Sequence, residues 1–113
     1  MNIEADDLSP MLARAEEASA LMRALASPYR LMILCHLNGG EKSVGTLQTL
    51  VGLSQSALSQ HLARLRADGL VATRREGQTI HYSLNGQPPA EVIGVLHRLY
   101  CESAPETATA RGA

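Results

Sequence analysis

The chain carries two cysteines in 113 residues, Cys35 and Cys101, and a thiolate is both a nucleophile and a ligand for soft metals. His97 and Arg98 stand four and three residues before Cys101, on its side of a helix, where a cation lowers a thiol's pKa. The partial negative charge at a helix C-terminus acts the other way. Cys35 adjoins His36, but consecutive helical residues do not face one another, so that pair does not suggest catalysis. Two alternatives stay open from these residues alone. Both cysteines can be small buried hydrophobes, or Cys35, His97 and Cys101 can together hold zinc or a softer ion. A structural disulfide is not expected in a reducing cytoplasm.

A second set of residues could do recognition rather than reaction. In the stretch Leu47–Leu65, LQTLVGLSQSALSQHLARL, Ser54 sits where an N-cap belongs. Leu53 and Leu58 around it have the spacing of a hydrophobic staple. Leu58, Leu62 and Leu65 then give one buried helical face. The other face carries Gln55, Ser56, Ser59 and Gln60, short uncharged side chains that both donate and accept, as base edges and phosphates require. Leu47, Leu50 and Val51 suggest a short preceding helix broken by Gly52, which makes a helix-turn-helix. The bland alternative is an ordinary amphipathic helix with a polar face.

The elements that position these residues follow from composition and period. With no Trp, no Phe and three Tyr, the core is aliphatic, and a small helical domain of that kind gains by dimerising. The net charge is −1, which argues against nucleic acid, but its distribution matters more. Glu4, Asp6, Asp7, Glu16 and Glu17 face Arg14 alone at the start, whereas Arg64, Arg66, Arg74 and Arg75 outnumber Asp68 and Glu76 later. No apolar run approaches a membrane span, and MNIEADDL is unlike a secretory leader. A cytoplasmic protein without membrane contact is expected.

Three parts are expected along the chain: a flexible segment over 1–7, one domain over 8–102, and a disordered tail over 103–113. Met11, Ala15, Ala18, Met22 and Leu25 recur at steps of four and three within a first helix, Leu8 to Leu25. That is a narrow seam suited to another helix. Ser27-Pro28 starts a second helix running to Leu37, with Leu31, Leu34 and Leu37 inward. Ser43 caps a third, to about Leu50; the fourth starts at Ser54 and stops at Asp68-Gly69. The period then changes to two: Leu70–Arg75 and Thr79–Leu84 read as a hairpin around Glu76-Gly77-Gln78. Arg74, Arg75, Gln78 and Thr79 form its cationic tip, suited to phosphate or minor-groove contact. Pro88-Pro89 opens a last helix to about Glu102, apolar on more than one face.

This order, with LSQSALSQHLARLRADGLV in its middle and ALASPYRLMIL before it, resembles the ArsR/SmtB family of bacterial winged-helix repressors over about Ala15 to Cys101. The resemblance implies a mainly α fold with a β-hairpin wing: four helices, two strands and a fifth helix, dimerised through the first and last helices. The partner implied is double-stranded DNA, an inverted repeat met by two recognition helices in successive major grooves. By position, base reading falls to Gln55, Ser56, Ser59 and Gln60 beside the cap Ser54, and backbone contact to His61, Arg64 and the wing. The family's arsenic and cadmium site needs a Cys-x-Cys near the third helix, and Leu47–Leu53 holds no cysteine. Its zinc site needs several ligands on the last helix, which offers Glu91, His97 and Glu102. Neither metal nor other cofactor is expected.

RLMILCHL and LHRLYC resemble the family's two-cysteine subgroup, which answers reactive sulfur or oxidants by linking the two cysteines through a disulfide or polysulfide. The resemblance thus implies a redox-sensing pair, Cys35 and Cys101, tuned by His97 and Arg98, with a small reactive sulfur species or oxidant as inducer. Linkage would lower operator affinity. A metal-responsive repressor using Cys35, His97 and Cys101 is the alternative, and a winged helix that binds protein instead of DNA is another. No G-x-S-x-G, H-E-x-x-H or P-loop is found, so an enzyme is not expected.

Overall fold

Three serines set where the central helices begin. In the computed structural model, which describes residues 7–102, Ser27 Oγ accepts from Arg30 N at 3.3 Å, Ser43 Oγ from Thr46 N at 3.1 Å and Ser54 Oγ from Ala57 N at 3.2 Å. Each satisfies a donor that a helix start leaves orphaned. The order is α1 (Ser9–Ala13), α2 (Ala15–Leu25), α3 (Pro28–Asn38), β1 (Lys42–Ser43), α4 (Val44–Val51), α5 (Gln55–Ala67), β2 (Val71–Glu76), β3 (Thr79–Leu84) and α6 (Gln87–His97), followed by one π-helical turn, Arg98–Glu102. The segments expected to be flexible lie, Asp7 apart, outside the described residues. No helix among the described residues is long and apolar enough to cross a membrane.

Four expectations are corrected. The first helix is two: the backbone leaves helical geometry at Arg14, with φ −117° and ψ 18°, and no glycine or proline marks the break. Its Met11 and Met22 are exposed while Leu21 and Ala24 are buried and Leu25 packs on the core, so the seam is only partly covered within its own chain. Ile33, rather than Leu31, joins Leu34 and Leu37 in the core, because α3 is flanked by α2, α4, α5 and α6 and buries more than one stripe. The wing has three strands in the order β1-β3-β2, with Lys42 opposite Tyr82 and Ser43 opposite His81. The last helix changes winding at Arg98.

The core is aliphatic, as composition requires: Ile33, Leu34, Leu47, Leu58, Leu62, Leu65 and Ile93 are all but inaccessible. Leu53 packs on this cluster from the turn before α5, completing the staple with Leu58. Two glycines make necessary turns. Gly52, at φ +78°, ends α4 in the left-handed region and lets α5 start three residues later, at Gln55. Gly77, at φ +63°, takes the first of two loop positions between the paired residues Glu76 and Thr79, the pattern of a type II′ hairpin.

Arg30 ties α3 to the end of α2, its Nε and Nη2 donating to the carbonyls of Ala24 (3.2 Å) and Arg23 (3.1 Å). Both lie in the last turn of α2, whose carbonyls lack the usual i+4 partner, and the Arg23 carbonyl also accepts from Ala26 N at 3.1 Å. Arg30→Ala is expected to lower folding stability by about 1 kcal/mol, read as a lower urea midpoint with an unchanged m-value.

Candidate nucleic-acid interface and thiol pair

Helix α5 presents three faces. Leu58, Leu62 and Leu65 are buried against the core. Gln55, Ser59, Ala63 and Arg66 line a cleft of about 820 Å³ whose other wall is Gln78, Thr79, Ile80 and Tyr82 of the wing. Ser56 and Gln60, a further 100° or so round, are exposed and point furthest from the core. The four polar side chains expected to act together are therefore divided between the cleft and the outward ridge. The hydroxyl of Ser54 is occupied in capping, with Ser56 Oγ 3.5 Å away.

On the remaining flank, His61 is half-buried against Tyr29 of α3, the rings 5.9 Å apart and tilted by 35°. Arg64 is partly committed as well, its Nε donating to Asp68 Oδ2 at 3.1 Å. Sequence reasoning gave no site role to Arg66 or Tyr29. Arg66 was legible as an exposed cation in the last turn of α5, where the helix dipole favours positive charge. The Tyr29 contact joins two helices and has no local signal.

The cationic tip is corrected by strand register. Arg75 is opposite Ile80 and shares its face of the sheet, the one that lines the cleft. Arg74 is opposite His81 and lies on the other face. There its Nη2 and Nε donate to the two Glu41 carboxylate oxygens at 2.8 and 3.0 Å, and Glu76 Oε1 is 3.7 Å from its Nη1. His81 Nε2 is 3.3 Å from the same Glu76 oxygen. The two arginines do not form one finger.

The two thiols differ. Cys35 is half-buried on α3 and packs against the core, while Cys101 is exposed in the π turn; both are free. Burial pushes the Cys35 thiol up, and the charge of a Cys101 thiolate pushes it further in the same direction. Helix α3 packs on α6, which delivers the π turn to this place. At the end of α6, His97 Nδ1 meets Glu102 Oε2 of that turn at 3.2 Å, a partner five residues on, as π winding allows. The His97 expected to tune Cys101 is thus engaged with a carboxylate. Among the described residues no group of three or more His, Cys, Asp or Glu side chains is placed to hold a metal ion. The alternative set of Cys35, His97 and Cys101 is not gathered.

Comparison with known proteins bears on these sites. The family profile of the bacterial regulatory protein, arsR family, matches residues 27–73, from the cap of α3 into β2. The transcriptional activator HlyU of Vibrio cholerae is 50% identical over 97 residues, covering 86% of this chain and 90% of that protein. The structure of its reduced form superposes with a TM-score of 0.77, over 83% of this chain and 99% of that one, at 51% identity. The transcriptional repressor BigR from Xylella fastidiosa is 39% identical with a TM-score of 0.76, over 89% and 98% of the two chains. The homodimeric winged helix-turn-helix DNA-binding domain of Mb0332 from Mycobacterium bovis is 30% identical with a TM-score of 0.73, over 87% and 91%. The winged helix-turn-helix expected from the sequence is the fold of these neighbours.

Proposed function

The chain belongs to the ArsR family of bacterial DNA-binding transcriptional regulators, and we propose that it is a repressor that leaves its operator when Cys35 and Cys101 become covalently linked. The observation that carries this is the pair itself: an exposed thiol in the π turn that continues α6, and a half-buried thiol on α3, the helix on which α6 packs. Helix α3 also packs on the recognition helix α5, so a bond at Cys35 acts on the element that reads DNA.

Accessibility sets the order of events, because the thiolate is the attacking species and burial disfavours it at Cys35. Cys101 thiolate attacks the outer sulfur of a persulfide RSSH, forming Cys101–S–SH and releasing RS⁻. Cys35 thiolate then attacks the inner sulfur of that persulfide, forming the Cys35–Cys101 disulfide and releasing HS⁻. With peroxide, Cys101 becomes a sulfenic acid with loss of hydroxide, and Cys35 displaces a second hydroxide. The longer polysulfide bridge arises when a second RSSH converts Cys35 to Cys35–S–SH with release of RS⁻, and the Cys101 persulfide anion then attacks the Cys35 sulfur, releasing HS⁻.

The protein acts as a homodimer in the cytoplasm. Leu8, Met11, Leu12 and Met22 near the start and Val95, Leu99 and Tyr100 near the end are all exposed in a single chain, Leu12 by 79% and Tyr100 by 75%. Apolar surface on that scale calls for a covering partner, and a homodimeric relative is known in Mb0332. Two copies of α5 would enter successive major grooves of an inverted repeat about 34–36 Å apart. Ser56 and Gln60 face base edges, Gln55 and Ser59 face the strand in the cleft, and Ser54, His61, Arg64, Arg75, Gln78 and Thr79 face phosphates.

The test is fluorescence anisotropy on DNA from upstream of the gene, comparing reduced protein with protein treated with a persulfide donor or with peroxide. Weakening by persulfide alone is expected of a reactive-sulfur sensor, and weakening by both of a general thiol switch. Binding unaffected by either reagent overturns the dithiol switch while leaving DNA binding in place.

A further inference from the structure

We infer that Glu41 sets operator affinity by holding Arg74 across the back of the wing, so that Arg75 alone of the two wing arginines reaches phosphate. The inference rests on the DNA-binding reading and adds a residue to it that touches no DNA.

Geometry supports it in three ways. Glu41 immediately precedes β1, which flanks β3 on the side opposite β2. An arginine on β2 therefore reaches it only by crossing the width of β3, two strand spacings or about 9.6 Å. That span takes the extended side chain, laid flat over the sheet. Next, the contact is a two-pronged one, 2.8 and 3.0 Å, in which both carboxylate oxygens meet the planar guanidinium fork. It joins residues 33 apart in sequence that only the three-stranded sheet brings together. Finally, β1 pairs Ser43 with His81, and β2 pairs Arg74 with His81, so the back of the wing carries Glu41, Glu76, Arg74 and His81. Two carboxylates there bracket one guanidinium. For Arg74 to swing to a phosphate, both carboxylates would be left facing a polyanion. The Glu41 carboxyl is held below the usual carboxylate range, first by the hydrogen bond from Arg74, so it stays charged throughout the range in which the protein would bind DNA.

The experiment is a salt titration of operator binding by the full chain, because each phosphate neutralised adds about 0.9 to the slope of log K against log salt. Glu41→Gln is expected to steepen that slope by about 0.9 per protomer, about 1.8 for the dimer, which adds roughly a twelvefold loss of affinity between about 50 and 200 mM salt, and to bind more tightly at the low end. Arg74→Ala alone is expected to leave the slope of the parent unchanged, and the double variant Glu41→Gln/Arg74→Ala to return to it. Circular dichroism establishes that each variant is folded. A slope that falls in Arg74→Ala shows Arg74 already on phosphate and overturns the inference, as does a Glu41→Gln variant no steeper than the parent. Arg75→Ala separates the two levels. A shallower slope in it supports the wing contact independently of Glu41, whereas a parent chain with no salt-dependent operator binding removes the DNA reading and this inference together.

Discussion

Treatment of the reduced protein with a persulfide donor is expected to weaken operator binding by about 5- to 150-fold, the range of a coupling of roughly 1–3 kcal/mol. Serine at either cysteine is expected to abolish that response while leaving binding by the untreated protein intact. The two variants should differ in what they accumulate. In Cys35→Ser the exposed Cys101 still attacks, so the protein gains the mass of one sulfur atom and keeps its DNA affinity, because no second thiol closes the bridge. In Cys101→Ser the remaining thiol is half-buried and raised. Its thiolate is scarce at neutral pH, so its alkylation should be slow there and accelerate as pH climbs toward the raised value. Intact-mass spectrometry and anisotropy on the same samples separate modification from release. A Cys101→Ser protein that releases DNA as readily as the parent would sink the dithiol switch.

Removing the Gln60 side chain is expected to cost about 5- to 150-fold per half-site in affinity for the operator and almost nothing on unrelated DNA. Gln60 is exposed on the outward ridge of α5, where a glutamine amide meets an adenine edge with two hydrogen bonds worth about 1–3 kcal/mol of discrimination. A base contact releases no counterion, so Gln60→Ala should leave the salt slope unchanged. A phosphate contact such as Arg75 should do the reverse, weakening all sequences alike. Measuring both variants on operator and on scrambled duplex, at several salt concentrations, assigns each residue to one of the two classes. Equal losses on both duplexes for Gln60→Ala would remove it from base reading.

Much of the fold was legible because it is local. The three serine caps, the staple of Leu53 and Leu58, and the tight turn at Gly77 each depend on residues within a few positions of one another. The features that escaped depend on distant partners. Strand β1 has two residues, too short for any period to show, and exists because β3 offers it an edge. The pairing of Arg74 with Glu41 crosses that same sheet, so two adjacent arginines read as one cationic tip until the register placed them on opposite faces. Within α3, spacing alone picked out the Leu31, Leu34 and Leu37 stripe, but the helices packed around it bury Ile33 as well. The π turn brings His97 to Glu102, five residues on, a pairing that α-helical counting does not offer. For the candidate site, residue types were readable and their grouping was not. Gln55 and Ser59 belong with the wing, Ser56 and Gln60 with the ridge, and His61 with Tyr29.

The short run from the end of α3 to the wing also bears on which changes of length this fold tolerates. Gly39, Gly40 and Glu41 alone separate α3 from β1, and β1 is registered residue for residue on β3. One inserted residue there that shifted the strand by one would turn Ser43 and Glu41 to the opposite face and part Glu41 from Arg74 in the same step. At Gly77-Gln78, where the hairpin merely reverses, a longer loop disturbs only the tip. Among descendants of this sequence, insertions and deletions should therefore collect at the wing tip and be missing between residues 39 and 43.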